Sequence, residues 1–253
     1  MRFDNKCAIV TGGGSGIGAA TCLAFAREGA RVAVADMNQE GTEVTAKRVR
    51  EAGRKALALK VDVSEPSAVR EMVRRVEAEL GDIDVLVNSA GIREIVPFLD
   101  LKFEEWQRVI ASNLTGTFVC SQTVAKRWVE QGRGGKIVNL SSTAGLMAMP
   151  NRAAYVSSKH GVIGLTKEMA LELGGKNIQV NAVAPGVVET AMTAGYFSHP
   201  EMIESLKKMH VVGRWAQPKE IAQMILFLAS AEADFITGST FSIDGGFTAG
   251  RPF

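Results

Sequence analysis

The chain is poor in the residues that build disulfide frames, metal clusters and membrane spans. Its three cysteines, Cys7, Cys22 and Cys120, lie far apart in apolar surroundings, and no two form a Cys-x-x-Cys pair. That spacing argues against a disulfide frame or a zinc site and predicts buried, reduced thiols. The three histidines, His160, His199 and His210, lack metal-ligand spacing, so no metal is expected. No stretch reaches the roughly 18 apolar residues of a membrane span. The opening Met1–Lys6 lacks the apolar stretch of a secretory signal, so the cytoplasm is the expected compartment. Charge of either sign is also not in excess. The net charge is +2, basic residues are spread out, and nothing points to a nucleic-acid or membrane partner. Linkers, low-complexity tracts and tandem repeats are missing as well.

What the chain has is a steady rhythm. Its 253 residues, 46% hydrophobic, suit one domain spanning 1–253 with a full core. Short apolar runs at 7–10, 31–36, 56–61, 84–88, 136–140, 178–184 and 240–243 read as strands buried on both faces. Helical patterns alternate with them at about 16–28, 39–52, 65–80, 104–130, 155–173 and 218–230, with Ser64 as an N-cap and Pro66 in a first turn. The alternation predicts a single-domain, doubly wound α/β fold of Rossmann type, with a parallel seven-stranded sheet and helices on both faces. Residues 190–215 are long for a strand–helix connection and are expected to be a lid over a site.

Two local patterns carry chemistry. Thr11-Gly-Gly-Gly-Ser-Gly-Ile-Gly18 follows the first strand and opens the first helix. Glycines there let backbone approach a pyrophosphate, and the helix start offers N–H groups and a positive dipole end. Asp36 ends the second strand, where a carboxylate can accept hydrogen bonds from both adenosine ribose hydroxyls. A 2′-phosphate would meet that negative charge, and Ser15, Met37, Asn38 and Gln39 bring no cation, so NAD(H) is favoured over NADP(H). A methyltransferase also uses a glycine loop and a strand-two acid. It does not account for the second pattern, Tyr155-Val-Ser-Ser-Lys159, which sets a phenol and an ammonium one helical turn apart. In a shared pocket the ammonium would lower the phenol pKa toward the range useful for general acid–base work.

Along nearly its whole length the chain resembles the short-chain dehydrogenase/reductases in their compact single-domain branch. The glycine spacing, Asp62-Val63, Asn88-Ser-Ala-Gly91, Asn113, Ser142, Pro185–Thr190 and Ile243-Asp-Gly-Gly246 occur in that family's order, with Ser89 where a second asparagine is usual. The resemblance implies Asn113, Ser142, Tyr155 and Lys159 as the catalytic set, with Ser141 the weaker serine candidate. It implies a cofactor site of Gly12, Ser15, Gly16, Ile17, Gly18, Asp36, Asp62, Val63, Asn88, Ala90, Gly91, Tyr155, Lys159, Pro185, Gly186, Val188 and Thr190. Asn113 would hold a water in a proton relay through Lys159. Ile17 would cover the pyrophosphate, while Val188 and Thr190 would orient the carboxamide. A homotetramer is the family's expectation.

The expected reaction is NAD(H)-dependent interconversion of a secondary alcohol and a ketone, with a small-molecule substrate. Arg93, Met147, Arg152 and Tyr196 are the substrate-side candidates. The two arginines suggest a hydroxy or keto compound carrying an anionic group. The alternatives are a 3-oxoacyl-thioester reductase, disfavoured by Asp36, and a non-catalytic nucleotide-binding regulatory protein, disfavoured by the intact catalytic set.

Overall fold

The computed structural model describes residues 1–250. Among them, seven parallel strands form one sheet in the order β3-β2-β1-β4-β5-β6-β7. The chain runs β1 (Cys7–Thr11), α1 (Gly16–Arg27), β2 (Arg31–Asp36), α2 (Gln39–Glu51), β3 (Ala56–Lys60), α3 (Pro66–Leu80) and β4 (Val85–Asn88). It continues through α4 (Phe103–Ile110), α5 (Gly116–Glu130), β5 (Gly135–Leu140), α6 (Ala153–Leu173), β6 (Ile178–Pro185), α7 (Pro200–Met209), α8 (Pro218–Ala229) and β7 (Thr240–Ile243).

The continuous apolar strands follow from burial on both faces. Side chains alternate along a strand, so Ala8 and Val10 of β1 join the core under α1 and α8, with Phe25, Ile225 and Leu226. Cys7 and Ile9 point the other way, into a second core with Val73, Val76, Val124 and Trp128 of α3 and α5. All three cysteines are buried and free. Burial pushes the Cys7 and Cys120 thiols up to about 12 and raises Cys22 as well.

Strand order reverses direction between β1 and β4, and the carboxyl ends of both strands open there. A crevice at such a switch point is where open α/β sheets bind ligands. The turn after β4 is tied back to β1: Thr11 Oγ1 accepts the N–H groups of Ser89 (3.1 Å) and Ala90 (3.2 Å). Backbone donors make these bonds, so serine at position 89 keeps them.

Two local expectations need correction. The helix expected at 104–130 is not continuous, because a π-helical turn at Ala111–Thr115 separates α4 from α5. Apolar periodicity carries through such a turn, and only the hydrogen-bond pattern reveals it. Ser64 does not cap α3. Glu65 holds the cap position, and the Ser64 N–H and hydroxyl both donate to Asp62 Oδ1, at 2.9 and 2.7 Å.

Residues 190–215 form a 3-10 stretch (Ala191–Phe197) followed by α7. His210, just past α7, is buried. Its Nε2 accepts the Val187 N–H at 3.3 Å and its Nδ1 faces the Leu206 carbonyl at 2.8 Å, so the proton sits on Nδ1 and the ring braces the Pro185–Val188 turn. No described helix is long and apolar enough to cross a membrane.

Candidate active site

A cleft of about 710 Å³ runs along the carboxyl ends of the strands. Its floor at one end is the glycine turn. Gly12 holds φ +65°, and a Cβ there would lie 2.8 Å from the Ala90 backbone. A Cβ on Gly18 would come within 2.0 Å of the Gly12 carbonyl oxygen, so the turn packs against its own helix only as glycine. Ser15 stands at the start of α1 without making a side-chain cap bond, and Ser15, Gly16 and Ile17 face the cleft. Asp36 forms the next wall. Its Oδ2 accepts the Gly14 N–H and its Oδ1 the Asn38 N–H, both at 3.0 Å, which fixes the carboxylate against the loop. Asp62 and Val63, Ala90 and Gly91, and Pro185, Gly186, Val188 and Thr190 complete this part of the wall.

The other end of the cleft is built from β5, the turn after it and α6. Ser141 and Ser142 are adjacent but separate in role. The buried Ser141 hydroxyl donates to the Lys159 carbonyl at 2.9 Å. Ser142 caps a 3-10 turn at Thr143–Gly145, its Oγ accepting the Ala144 N–H at 3.1 Å, and it contacts the Tyr155 phenol. Lys159 is buried, and its Nζ donates to the Leu140 carbonyl at 2.7 Å. Burial pushes its ammonium down to about 8.

The Lys159 ammonium makes no hydrogen bond to the Tyr155 phenol. Its Nζ lies 5.7 Å from the Tyr155 ring centroid and is turned toward Leu140. Burial raises the Tyr155 pKa, and the opposing pull comes from the Ser142 hydroxyl and the charges of Arg93 and Arg152.

Three sequence candidates sit outside the cleft wall. Asn88 is buried, and its Nδ2 donates to Ser121 Oγ and Asn139 Oδ1, both at 2.9 Å. Its side chain therefore links β4 to β5 and α5. Asn113 is fully buried in the π-helical turn. Its Oδ1 accepts the Ile92 N–H at 2.8 Å, while its Nδ2 donates to the Ile92 carbonyl at 2.9 Å and to Ser158 Oγ at 3.0 Å. Its side chain is a clamp on the strand-four loop. The turn after Ser142 carries Met147 outward to 38% exposure, and Met149 takes the place in the wall expected of it. Arg93, Arg152 and Tyr196 all face the cleft.

One residue escaped the sequence reading. Glu94 is buried, and its Oε1 accepts the N–H groups of Ala154 (2.7 Å) and Tyr155 (3.2 Å). This carboxylate from a distant loop caps the helix that carries Tyr155 and Lys159. Its sequence separation from Tyr155, 61 positions, hides the pairing from any local capping pattern.

The cradle fits a dinucleotide on three counts: a glycine turn that a Cβ would fill, a helix start aimed at the cleft, and a carboxylate fixed where a ribose would lie. No described group of His, Cys, Asp and Glu is arranged to hold a metal ion.

This sheet order, glycine cradle and Ser–Tyr–Lys grouping define an oxidoreductase of the short-chain dehydrogenase/reductase family, and the chain belongs to it. A family profile described as enoyl-(acyl carrier protein) reductase matches residues 12–248. The chain is 42% identical over 248 residues to a D-threitol dehydrogenase of Mycolicibacterium smegmatis, covering 98% of this chain and 95% of that one. It is also 42% identical over 247 residues to a 3-oxoacyl-(acyl-carrier-protein) reductase of Thermotoga maritima, covering 97% of this chain and 99% of that one. Among solved structures, a 4-hydroxyisoleucine dehydrogenase complexed with NADH superposes with a TM-score of 0.90 at 41% identity, covering 97% of this chain and 100% of that one.

Proposed function

We propose that this chain is an NAD(H)-dependent oxidoreductase that interconverts a secondary alcohol and a ketone, with Tyr155 as general acid and base. The observation that carries the reading is the placement of Tyr155, Ser142 and Lys159 in one cleft with the glycine cradle and Asp36. A solved relative bound to NADH supports the cofactor assignment.

NAD(H) held in this cleft would supply the hydride chemistry, and the residues of the chain would supply orientation and proton handling. Gly12, Ser15, Gly16, Ile17 and Gly18 would hold the pyrophosphate, and Asp36 would take the adenosine ribose. Asp62 and Val63 would flank the adenine, and Ala90 and Gly91 form part of the wall. The turn from Pro185 to Thr190 orients the carboxamide through Val188 and Thr190. Tyr155 removes the proton from the substrate hydroxyl as the carbonyl forms, and returns it in the reverse direction. Ser142 donates a hydrogen bond to the substrate oxygen and shares its developing charge. Lys159 binds the nicotinamide ribose and passes protons onward, while Asn113 holds the Gly91–Arg93 segment in place. Residues 190–215 act as a lid on a single domain that assembles as a homotetramer in the cytoplasm.

The test is an absorbance assay of NAD and NADP reduction with a panel of secondary alcohols. Higher kcat/KM with NAD is expected, because Asp36 repels a 2′-phosphate. A clear NADP preference would contradict the Asp36 argument.

The relative in Thermotoga maritima favours a second reading, a 3-oxoacyl-thioester reductase. Efficient reduction of acetoacetyl-CoA together with NADP preference would establish it over the first.

A further inference from the structure

The chain has two tyrosines, Tyr155 and Tyr196, and both face the cleft. Tyr196 is held in an unusual way. Arg93 Nη1 donates to its hydroxyl at 2.5 Å, and Arg152 Nη2 donates to the same oxygen. The Arg93 guanidinium also lies over the Tyr196 ring, 4.7 Å from its centroid. Two cations thus converge on one neutral phenol.

Neither arginine is paired with a carboxylate among the described residues, whereas Arg127, Arg133 and Arg214 all are. The nearest acid in sequence, Glu94, is turned away and occupied by the N–H groups of α6. The remaining bonds of the pair go to backbone carbonyls, Met192 for Arg93 and Pro150 for Arg152. Like charges brought together around a neutral oxygen repel, and an anion between them would turn that repulsion into two charge-assisted hydrogen bonds.

The backbone beneath both arginines is also held in advance. Arg93 sits between Ile92, clamped by Asn113, and Glu94, fixed to α6. Arg152 immediately precedes α6, and the nearby Asn151 carbonyl accepts the Val96 N–H at 2.9 Å. Pre-organised donors lose little entropy on binding. Arg93, Arg152 and Tyr155 line the same cleft, so an anion bound between the arginines shares it with that phenol.

We infer that Arg93 and Arg152 form a carboxylate subsite, and that the substrate is a short hydroxy acid whose carboxylate replaces the Tyr196 hydroxyl as their shared partner. The inference rests on the alcohol–ketone reading above and names its substrate class. A carboxylate fits better than a neutral acceptor because its two oxygens match two guanidinium forks. Tyr196 then covers the bound acid from the side of the 190–215 segment.

The test separates binding from turnover. β-Hydroxybutyrate and its methyl ester are titrated calorimetrically into the protein saturated with NADH, where neither can be oxidised. The acid is expected to bind at least about tenfold more tightly than the ester, the scale of a charge-assisted pair. That preference should fall by roughly the same factor in Arg93→Gln and in Arg152→Gln. Tyr196→Phe removes the competing hydroxyl and is expected to tighten acid binding. Equal binding of acid and ester, or a preference that survives both arginine changes, overturns the inference. So does tighter binding of glycerol phosphate than of the acid. Oxidation of cyclohexanol with NAD is scored separately. Turnover of cyclohexanol without acid preference sinks the subsite alone, while arginine-dependent acid binding without any alcohol turnover sinks the alcohol–ketone reading and leaves the anion site standing.

Discussion

Lys159 shows how a motif places a side chain without revealing its bonds. Its position four residues after Tyr155 is plain in the sequence, but its direction is not. The Leu140 carbonyl that receives its Nζ comes from another strand, and burial rather than pairing sets its proton affinity near 8. The consequence for pH is specific. Its folded pKa lies below the ordinary lysine value of 10.5, so between about 8 and 10.5 the unfolded chain binds more protons than the folded one. Stability contributed by Lys159 therefore rises as pH climbs through that window. The buried cysteines, whose folded values are raised, pull the other way, so the comparison must be with a variant. Chemical denaturation of wild type and Lys159→Met across that window is expected to show an upward slope in their difference. A flat difference would mean that Lys159 keeps an ordinary proton affinity. Asn88 shows the same thing: the motif fixes the backbone position, while Ser121 and Asn139 decide where the side chain goes.

At the scale of elements, α6 is the part most readable from sequence and also the part with the largest omission. Its length, its Tyr155 face and its place after β5 all follow from apolar pattern and motif order. Its N-terminal cap does not, because Glu94 arrives from the loop after β4. Without that carboxylate the first N–H groups of α6 lose a buried acceptor. Glu94→Ala is expected to cost about 1–2 kcal/mol, the scale of a lost helix cap. That corresponds to a Tm lower by roughly 2–8 °C in a chain of this size. Glu94→Gln keeps an acceptor oxygen and should recover most of the loss. Differential scanning calorimetry of both variants checks this, and equal Tm values for Ala and wild type would remove Glu94 as a cap. The π-helical turn was equally hidden, since Asn113 is pulled inward by contacts with Ile92 and Ser158 that no periodicity records.

For the whole molecule, strand order and the position of the cleft follow from chain order. Seven apolar runs alternating with helices leave few topologies once crossovers are right-handed and both faces are covered. The switch point between β1 and β4 then brings together the glycine turn, Asp36, Ser142 and Tyr155, residues spread over more than half of the chain. Sequence order could not show which partner each arginine would find, because Arg93, Arg152 and Tyr196 meet only across the assembled cleft. In the proposed mechanism Tyr155 is the proton-transfer group beside a bound nicotinamide, and Tyr155→Phe isolates that role by removing one hydroxyl. With an alcohol that wild type oxidises, the variant is expected to lose at least about a hundredfold in kcat, the scale of general acid–base catalysis, while its NADH dissociation constant, read by fluorescence titration, stays close to that of wild type. Turnover near the wild-type rate in Tyr155→Phe would contradict the mechanism.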